Sequence, residues 1–329
     1  MKLLKLVPDD TNIDFLKWRI PAFALSLLLM IASVGAVATQ GLNFGVDFIG
    51  GQMIRATFTQ TAEAPVTELR DKVAGLGYGE PTIQRFGAEN QVSIRMKLPE
   101  GADKNPEIAN AMASKITAKL KADYPGVRID GVDSVSGKVS EELFSKGMLA
   151  LLAAMAGVSL YIWIRFEWQF GVGAIWSLIH DVTLTFGLFA ITGLEFDLNI
   201  IAALLTIIGY SLNDTIVCYD RIRENLRKYR SMDMESLIDL STNETLSRTV
   251  TTSLSLVITL TILLLVGPDS IYGFTAAMLL GIVIGTFSSF YISNPALIWL
   301  KVTSDSFLEK GAIRPGANPD AERVTHRDN

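Results

Sequence analysis

The sequence predicts a polytopic α-helical membrane protein of six spans carrying one α+β ferredoxin-like domain outside the membrane. Two observations predict it. Six apolar runs, at 20–38, 148–164, 172–191, 198–218, 250–266 and 272–292, approach the about 20 residues that the hydrocarbon layer requires. Between the first two runs lies a long stretch, 41–147, whose apolar residues alternate or recur at helical spacing. The 329 residues are 49% apolar, which leaves room for one soluble domain beside the spans. The net charge of −5 is too mild to call for a nucleic-acid partner.

The runs divide the chain into a lead with the first span (1–40), an external domain with its joints (41–147), spans two to six (148–294) and a tail (295–329). The first span follows a basic lead of Lys2, Lys5, Lys17 and Arg19. No small-residue cleavage site stands out and five spans follow, so it reads as a retained anchor rather than a signal peptide. Lys and Arg in short loops set the orientation. They crowd the lead, Arg165, the Arg221–Arg230 stretch and the tail, and are absent from 192–197 and 267–271. Both termini are then cytoplasmic and 41–147 lies outside. The only cysteine, Cys218, lies at the cytoplasmic end of a span, so the external domain folds without disulfides.

Within that domain 52–59 alternates, with Ile54, Ala56 and Phe58 on one face. A helix at 65–76 shows Val66, Leu69, Val73 and Leu76, and Gly77 stands ready to end it. Strands follow at 82–86 and 91–98, then a helix at 106–122 with Ile108, Met112, Ile116 and Leu120 on one side, then a strand at 127–135. The order βαββαβ is the ferredoxin-like one. The domain has neither His nor Cys and no nucleophile–base set, so it reads as a binding or moving part rather than an enzyme. Its expected joints are 45–51 and the polar stretch 136–147.

Four motifs carry the functional reading. Outside the first span stands Gly45-Val46-Asp47-Phe48-Ile49-Gly50-Gly51; taken alone it is a tight turn. The third span holds Ile179-His180-Asp181-Val182. The fourth holds Ile207-Ile208-Gly209-Tyr210-Ser211-Leu212-Asn213-Asp214-Thr215, running on into Asp220-Arg221-Ile222-Arg223-Glu224-Asn225. The fifth opens with Arg248-Thr249. In this order, around one external domain, the motifs closely resemble the SecF family, membrane subunits of bacterial Sec protein export within SecD/SecF and the RND superfamily. The resemblance covers nearly the whole chain. It implies a partner SecD, association with the SecYEG channel, YajC and YidC, and unfolded preprotein as cargo. It further implies protons as the coupling ion, with no cofactor, no metal and no nucleic acid. In the family the fourth-span aspartate and the fifth-span arginine lie in the proton-conducting region, and they match Asp214 and Arg248. Tyr210, Asn213, Thr252 and Asp181 are candidates beside them; Gly45, Asp47, Phe48, Gly50 and Gly51 form the structural motif. One departure is Leu254-Ser255-Leu256 after Thr252 and Ser253, where the family often continues with a small residue and hydroxyls.

The residues themselves support that reading. Carboxylates inside apolar spans are costly and mark function. Desolvation favours a neutral Asp214, whereas Arg248 favours its charge, so both states are accessible to a carrier. Thr206, Tyr210 and Asp214 share one helical face; Arg248, Thr252, Ser255 and Thr259 share another and offer a wet path, unless their hydroxyls merely bond their own helix. Asp181, on a face with Ser177 and Thr185, is either a second relay group or a buried acid bonded to a neighbouring helix. His180 is expected to point elsewhere, about 100° round the helix. Glu195 and Asp197 at the external mouth either collect protons or are merely solvated, and they are read as solvated. Ala277, Gly281, Gly285 and Ser289 permit close packing, within the chain or against SecD. Ser241-Thr242-Asn243-Glu244 suits a capping box before the fifth span, and Pro315 with 318–329 reads as a disordered tail. Two other classes compete. A half-sized RND-type exporter of a small molecule or lipid would normally bring two halves and larger external domains. An intramembrane aspartyl protease would place Gly, not Asn213, before its Asp, and Arg248 would oppose a shared proton.

Overall fold

The computed structural model describes residues 8, 11–86, 88–102 and 105–302. Among these, six helices are long and apolar enough to cross a membrane. A 3₁₀ turn, Leu16–Trp18, leads into α1 (Arg19–Gln40), with Pro21 in the first turn, where its missing N–H costs no helical bond. α1 buries little beyond Ser26, Ser33 and Ala36. Ser33 packs so close to Gly187 of α6 (Trp168–Thr192) that no side chain fits there.

After a two-residue strand β1 (Asn43–Phe44) and one helical turn α2 (Val46–Ile49), the external domain runs β2 (Gly51–Phe58), α3 (Val66–Ala74), β3 (Thr82–Phe86), β4 (Ala88–Met96), α4 (Pro106–Asp123), β5 (Val127–Val135). The sheet is antiparallel throughout, in the order β3-β4-β2-β5, which is the ferredoxin-like topology. Ile54, Ala56 and Phe58 of the central β2 are buried with Leu69 and Val73 of α3 and Met112, Ile116 and Leu120 of α4. Asn105 caps α4 by accepting the Glu107 N–H at 3.0 Å, and Pro106 follows in the first turn. Met53 and Arg55 lie on the opposite face of β2 and look onto the outer end of the membrane bundle.

Residues 137–147 do not form the expected bendable joint. Ser136 caps α5 (Gly137–Arg165), and a single 29-residue helix runs from the domain through the second span. Polar side chains at 138–146 made a loop plausible; the helix tolerates them because Lys138, Glu141, Glu142, Ser145 and Lys146 stand exposed and the buried Ser140 donates to the Gly137 carbonyl at 2.9 Å.

The remaining elements are α6, β6 (Glu195–Phe196), α7 (Leu198–Lys228), α8 (Met234–Val266), α9 (Tyr272–Ser288), a π-helical turn (Ser289–Ser293) and α10 (Asn294–Trp299). α6, α7 and the span from α9 to α10 are the inner ones, with 56% of their apolar stretch buried inside the bundle, against 17% for those of α1, α5 and α8. Pro295 lies in the first turn of α10, where its missing N–H is tolerated, and the Tyr219 hydroxyl of α7 donates to the Ser293 carbonyl at 3.0 Å.

α8 starts well before Val250. Asp233 caps it, accepting the Ser236 N–H at 2.9 Å, so 241–244 lie inside the helix and form no capping box. Ser241 and Thr242 donate to the carbonyls of Leu237 and Ile238, and Asn243 clasps the backbone N–H and C=O of Ile13, both at 2.9 Å. Arg248 is therefore a mid-helix residue. The small-residue stripe packs within the chain, Gly281 against Ile207 and Gly285 against Ser211 of α7. Pro315 and 318–329 lie outside the described residues.

Candidate functional site

The membrane bundle holds two carboxylates in different settings. Asp181 is wholly buried in α6 and ties three helices together. Ser211 of α7 donates to its Oδ2 at 2.5 Å and Ser288 of α9 to the same oxygen at 2.9 Å. Ser177 in turn donates to Ser288 at 2.8 Å, and Thr185 donates to the Asp181 backbone carbonyl at 2.8 Å. His180 does not point elsewhere. Its Nδ1 lies 2.9 Å from Asp181 Oδ1, because the ring folds back along the helix and recovers the angular offset between neighbours. Its buried Nε2 has no partner among the described residues.

Asp214 on α7 is 4% exposed, and its Oδ2 is buried without a hydrogen-bond partner. The polar groups that act on it are Arg248 and Ser253 of α8. Ser253 is also the hub of a short string: Tyr210 donates to it at 3.1 Å, and it meets Thr286 of α9 at 2.8 Å. Arg248 is exposed and, among the described residues, forms no ion pair with Asp214. Thr252 donates back to the carbonyls of Arg248 and Thr249, Ser255 to that of Thr252 and Thr259 to that of Ser255. The hydroxyl stripe on this face therefore bonds its own helix. Asn213 and Thr206 on α7 and Arg248, Ser255 and Thr259 on α8 lie exposed on the surface of the chain.

At the outer end, β1 pairs with β6 in parallel, Asn43 with Glu195 and Phe44 with Phe196. The Gly45 N–H donates to the Phe196 carbonyl at 2.9 Å. Asp47 Oδ2 accepts the N–H of Leu198 at 3.0 Å, and Asp197 Oδ1 accepts that of Ile200 at 3.2 Å, so two carboxylates cap α7. Phe48 sits among Phe44, Phe144 and Phe196, with ring centroids 6.1, 5.6 and 6.0 Å away. Gly50 and Gly51 have φ of 76° and 121°, and a Cβ on Gly51 would stand 2.5 Å from the Met96 carbonyl oxygen. Glu195 and Asp197 are not simply solvated. Burial pushes the Glu195 carboxyl up to about 7 against the pull of Arg95 and Arg55, and burial holds Asp197 above its ordinary value. Among the described residues no group of three or more His, Cys, Asp or Glu is arranged to hold a metal.

Residues 115–303 match the family described as protein export membrane protein SecD/SecF, C-terminal, and residues 35–62 match the SecD/SecF GG motif. The chain belongs to the SecD/SecF family. It is 44% identical over 303 residues to the protein translocase subunit SecF of Cereibacter sphaeroides, covering 91% of this chain and 93% of that one. It is 39% identical over 298 residues to SecF of Pseudomonas aeruginosa, covering 90% and 94%. Its fold is similar to the crystal structure of SecDF, a translocon-associated membrane protein from Thermus thermophilus, with a TM-score of 0.79 and 30% identity. That alignment covers 89% of this chain and 39% of the SecDF chain, so the chain spans well under half of SecDF.

SecD/SecF membership makes this a multi-pass bacterial membrane protein of protein export. The SecD/SecF GG motif has a physical reason here: it forms the seat in which the external domain meets α5, α6 and α7. Sequence reasoning singled out Asp214, Tyr210 and Asp181 but missed Ser253, Thr286, Ser211 and Ser288 as their partners. The available signal was weak. Ser211 adjoins Tyr210, and Ser288 precedes the end of the small-residue stripe, but neither neighbour fixes which helix each one meets.

Proposed function

We propose that this chain is a SecF-type subunit that works with a SecD partner to couple inward proton movement to late preprotein export, with Asp214 as the titrating group. The observation that carries this is the state of Asp214: a buried carboxylate with an unpartnered oxygen, beside the Tyr210–Ser253–Thr286 string and on the Arg248 side of α8. A purely structural buried acid is normally saturated with hydrogen-bond partners, as Asp181 is. Asp214 is left able to gain and lose a proton. Asp181 is the anchor that holds α6, α7 and α9 in register around it.

The exposed polar surface bearing Asn213, Arg248, Ser255 and Thr259 supports a partner of like architecture. Such groups are costly against lipid, and a second six-span half would cover them. The larger size of SecDF, of which this chain spans 39%, supports SecD in that place. The charged helical ends, with Arg165–Asp220 at 3.1 Å, Arg223–Glu167 at 3.5 Å and Arg221–Glu244 at 2.7 Å, support a cytoplasmic location for that end. The sheet domain is then periplasmic and both termini are cytoplasmic. SecYEG, YajC and YidC are its expected neighbours.

The test is preprotein translocation into inner-membrane vesicles containing SecYEG, SecD and this chain, with and without a proton gradient. The expected result is a gradient-dependent stimulation that uncouplers remove. Equal stimulation without any gradient would overturn the reading.

A further inference from the structure

A cavity of about 390 Å³ separates the external sheet from the outer end of the bundle, lined among others by Asp47, Arg55, Asp133, Glu195, Asp197 and Asn199. Of its carboxylates, three are committed. Asp133 accepts from Arg55 at 2.5 Å. Asp47 accepts the Leu198 N–H, and Asp197 accepts from Ile200 N–H and, at 3.0 Å, from Asn199 Nδ2. Glu195 is different. Its Oε1 is buried and has no hydrogen-bond partner. The nearest cation, Arg95 on β4, stands 3.6 Å away, beyond hydrogen-bond range, with Arg95 and Glu195 side chains only 13% and 16% exposed. Arg95 Nη2 reaches instead toward Asn43 Oδ1, at 3.4 Å.

Two parts of the molecule make this arrangement. Glu195 belongs to the bundle, in the loop between α6 and α7. Arg95 and Arg55 belong to the external sheet, on β4 and β2, and Asp133 to β5; Asp47 belongs to the segment that joins domain to span. Seating the domain on the loop is what removes Glu195 from water. We infer that Glu195 is a proton-binding latch: seating the external domain takes up a proton from the periplasmic side, and release of that proton loosens the domain. The latch deepens the proposed export function but does not require Asp214 to carry the coupled proton.

The direction follows from burial. Desolvation without a donor disfavours the carboxylate; Arg95 and Arg55 oppose this, and the charges of Asp197 and Asp47 add to it. The seated carboxyl is pushed up to about 7 from 4.5. With the domain lifted, Glu195 meets water and returns toward its ordinary value. Between those two values the seated state holds a proton that the lifted state does not, so seating is favoured at low external pH and weakens as pH rises through about 7. A difference of this size changes the seated-to-lifted ratio by up to about 300-fold across the window.

The test uses the full-length chain in lipid nanodiscs, spin-labelled at Lys119→Cys on α4 and Val266→Cys at the outer end of α8; the native Cys218 is buried. Pulsed electron–electron distances are recorded from about pH 5 to pH 8.5, bracketing the two carboxyl values. The seated distance should dominate at low pH and give way as pH rises between the two carboxyl values, the change complete by about 7. Glu195→Gln, which mimics the protonated side chain, should stay seated across the range. Asp197→Asn should lower the midpoint while keeping the transition, and Arg95→Gln, a second variant that leaves Glu195 in place, should raise it. Asp214→Asn should titrate like the wild type. A wild-type distribution that ignores pH, a Glu195→Gln protein that titrates normally, or a transition lost in Asp214→Asn would each overturn the latch.

Discussion

Asp181 and Asp214 lie one helix apart in the same bundle, yet their surroundings assign them opposite tasks. Asp214 keeps an unpartnered oxygen. Replacing it with Asn preserves shape and removes titration, so Asp214→Asn is expected to insert and to co-purify with SecD but to lose the gradient-driven part of translocation; wild-type stimulation in vesicles would refute this. Arg248→Lys is expected to lose most of that stimulation as well. Lysine keeps the charge but not the planar fork, and it is neutralised more readily near hydrocarbon. Near-normal translocation by the Lys variant would reduce Arg248 to a charge that needs no particular shape. Asp181→Ala should act on stability instead. It strands the hydroxyls of Ser211 and Ser288 and the Nδ1 of His180 in a dry core, a loss on the order of 3 kcal/mol. Thermal unfolding in detergent should show a lowered midpoint with Asp181→Ala and an almost unchanged one with Asp214→Asn.

At the level of elements, the contact between α7 and α9 joins packing to chemistry. A Cβ on Gly285 would come within 3.0 Å of the Ser211 Cβ, and Ser211 is a donor to Asp181. Gly285→Val should therefore push Ser211 off Asp181, destabilise the bundle by about 1–3 kcal/mol and depress translocation; an unchanged melting temperature would show that α9 can slide away freely. Much of this level was legible in the sequence. Hydrophobic length revealed six spans, and alternation together with helical spacing revealed βαββαβ, because both signals are local. What escaped was set by distant partners. The early start of α8 was missed, and 241–244 read as a capping box, because the partners of this stretch, Ile13 for Asn243 and Asn225 for Ser241, are distant in sequence. Glu195 and Asp197 read as solvated because nothing near them in sequence says that a sheet is seated above. His180 was misplaced by treating a helix as a set of rigid spokes, whereas a long ring can lean onto its neighbour.

For the molecule as a whole, the external domain meets the bundle through the seat formed by β1, α2, β6 and the aromatic side chains around Phe48. Joining it covalently to that seat should separate a moving domain from a static platform. A disulfide between cysteines introduced in β5 and in the loop that carries β6, which line the same cavity, is expected to abolish stimulation, with recovery on reduction; the one native cysteine, Cys218, is buried and leaves the test undisturbed. Full translocation in the cross-linked state would make the domain a fixed docking surface. The continuity of α5 adds a mechanical consequence. The two links between domain and membrane are unlike: one is the broken, glycine-bearing segment after α1, the other an unbroken helix. A domain joined on one side by a docked segment ending in the Gly50–Gly51 turn and on the other by a stiff rod behaves as a crank. The part of α5 from Gly137 to Gly147 stands about 16 Å beyond the apolar run at about 1.5 Å per residue. Tilting the rod inside the membrane by about 10° would carry its tip sideways by about 3 Å at that reach, and the sheet would swing with it about the Gly50–Gly51 turn.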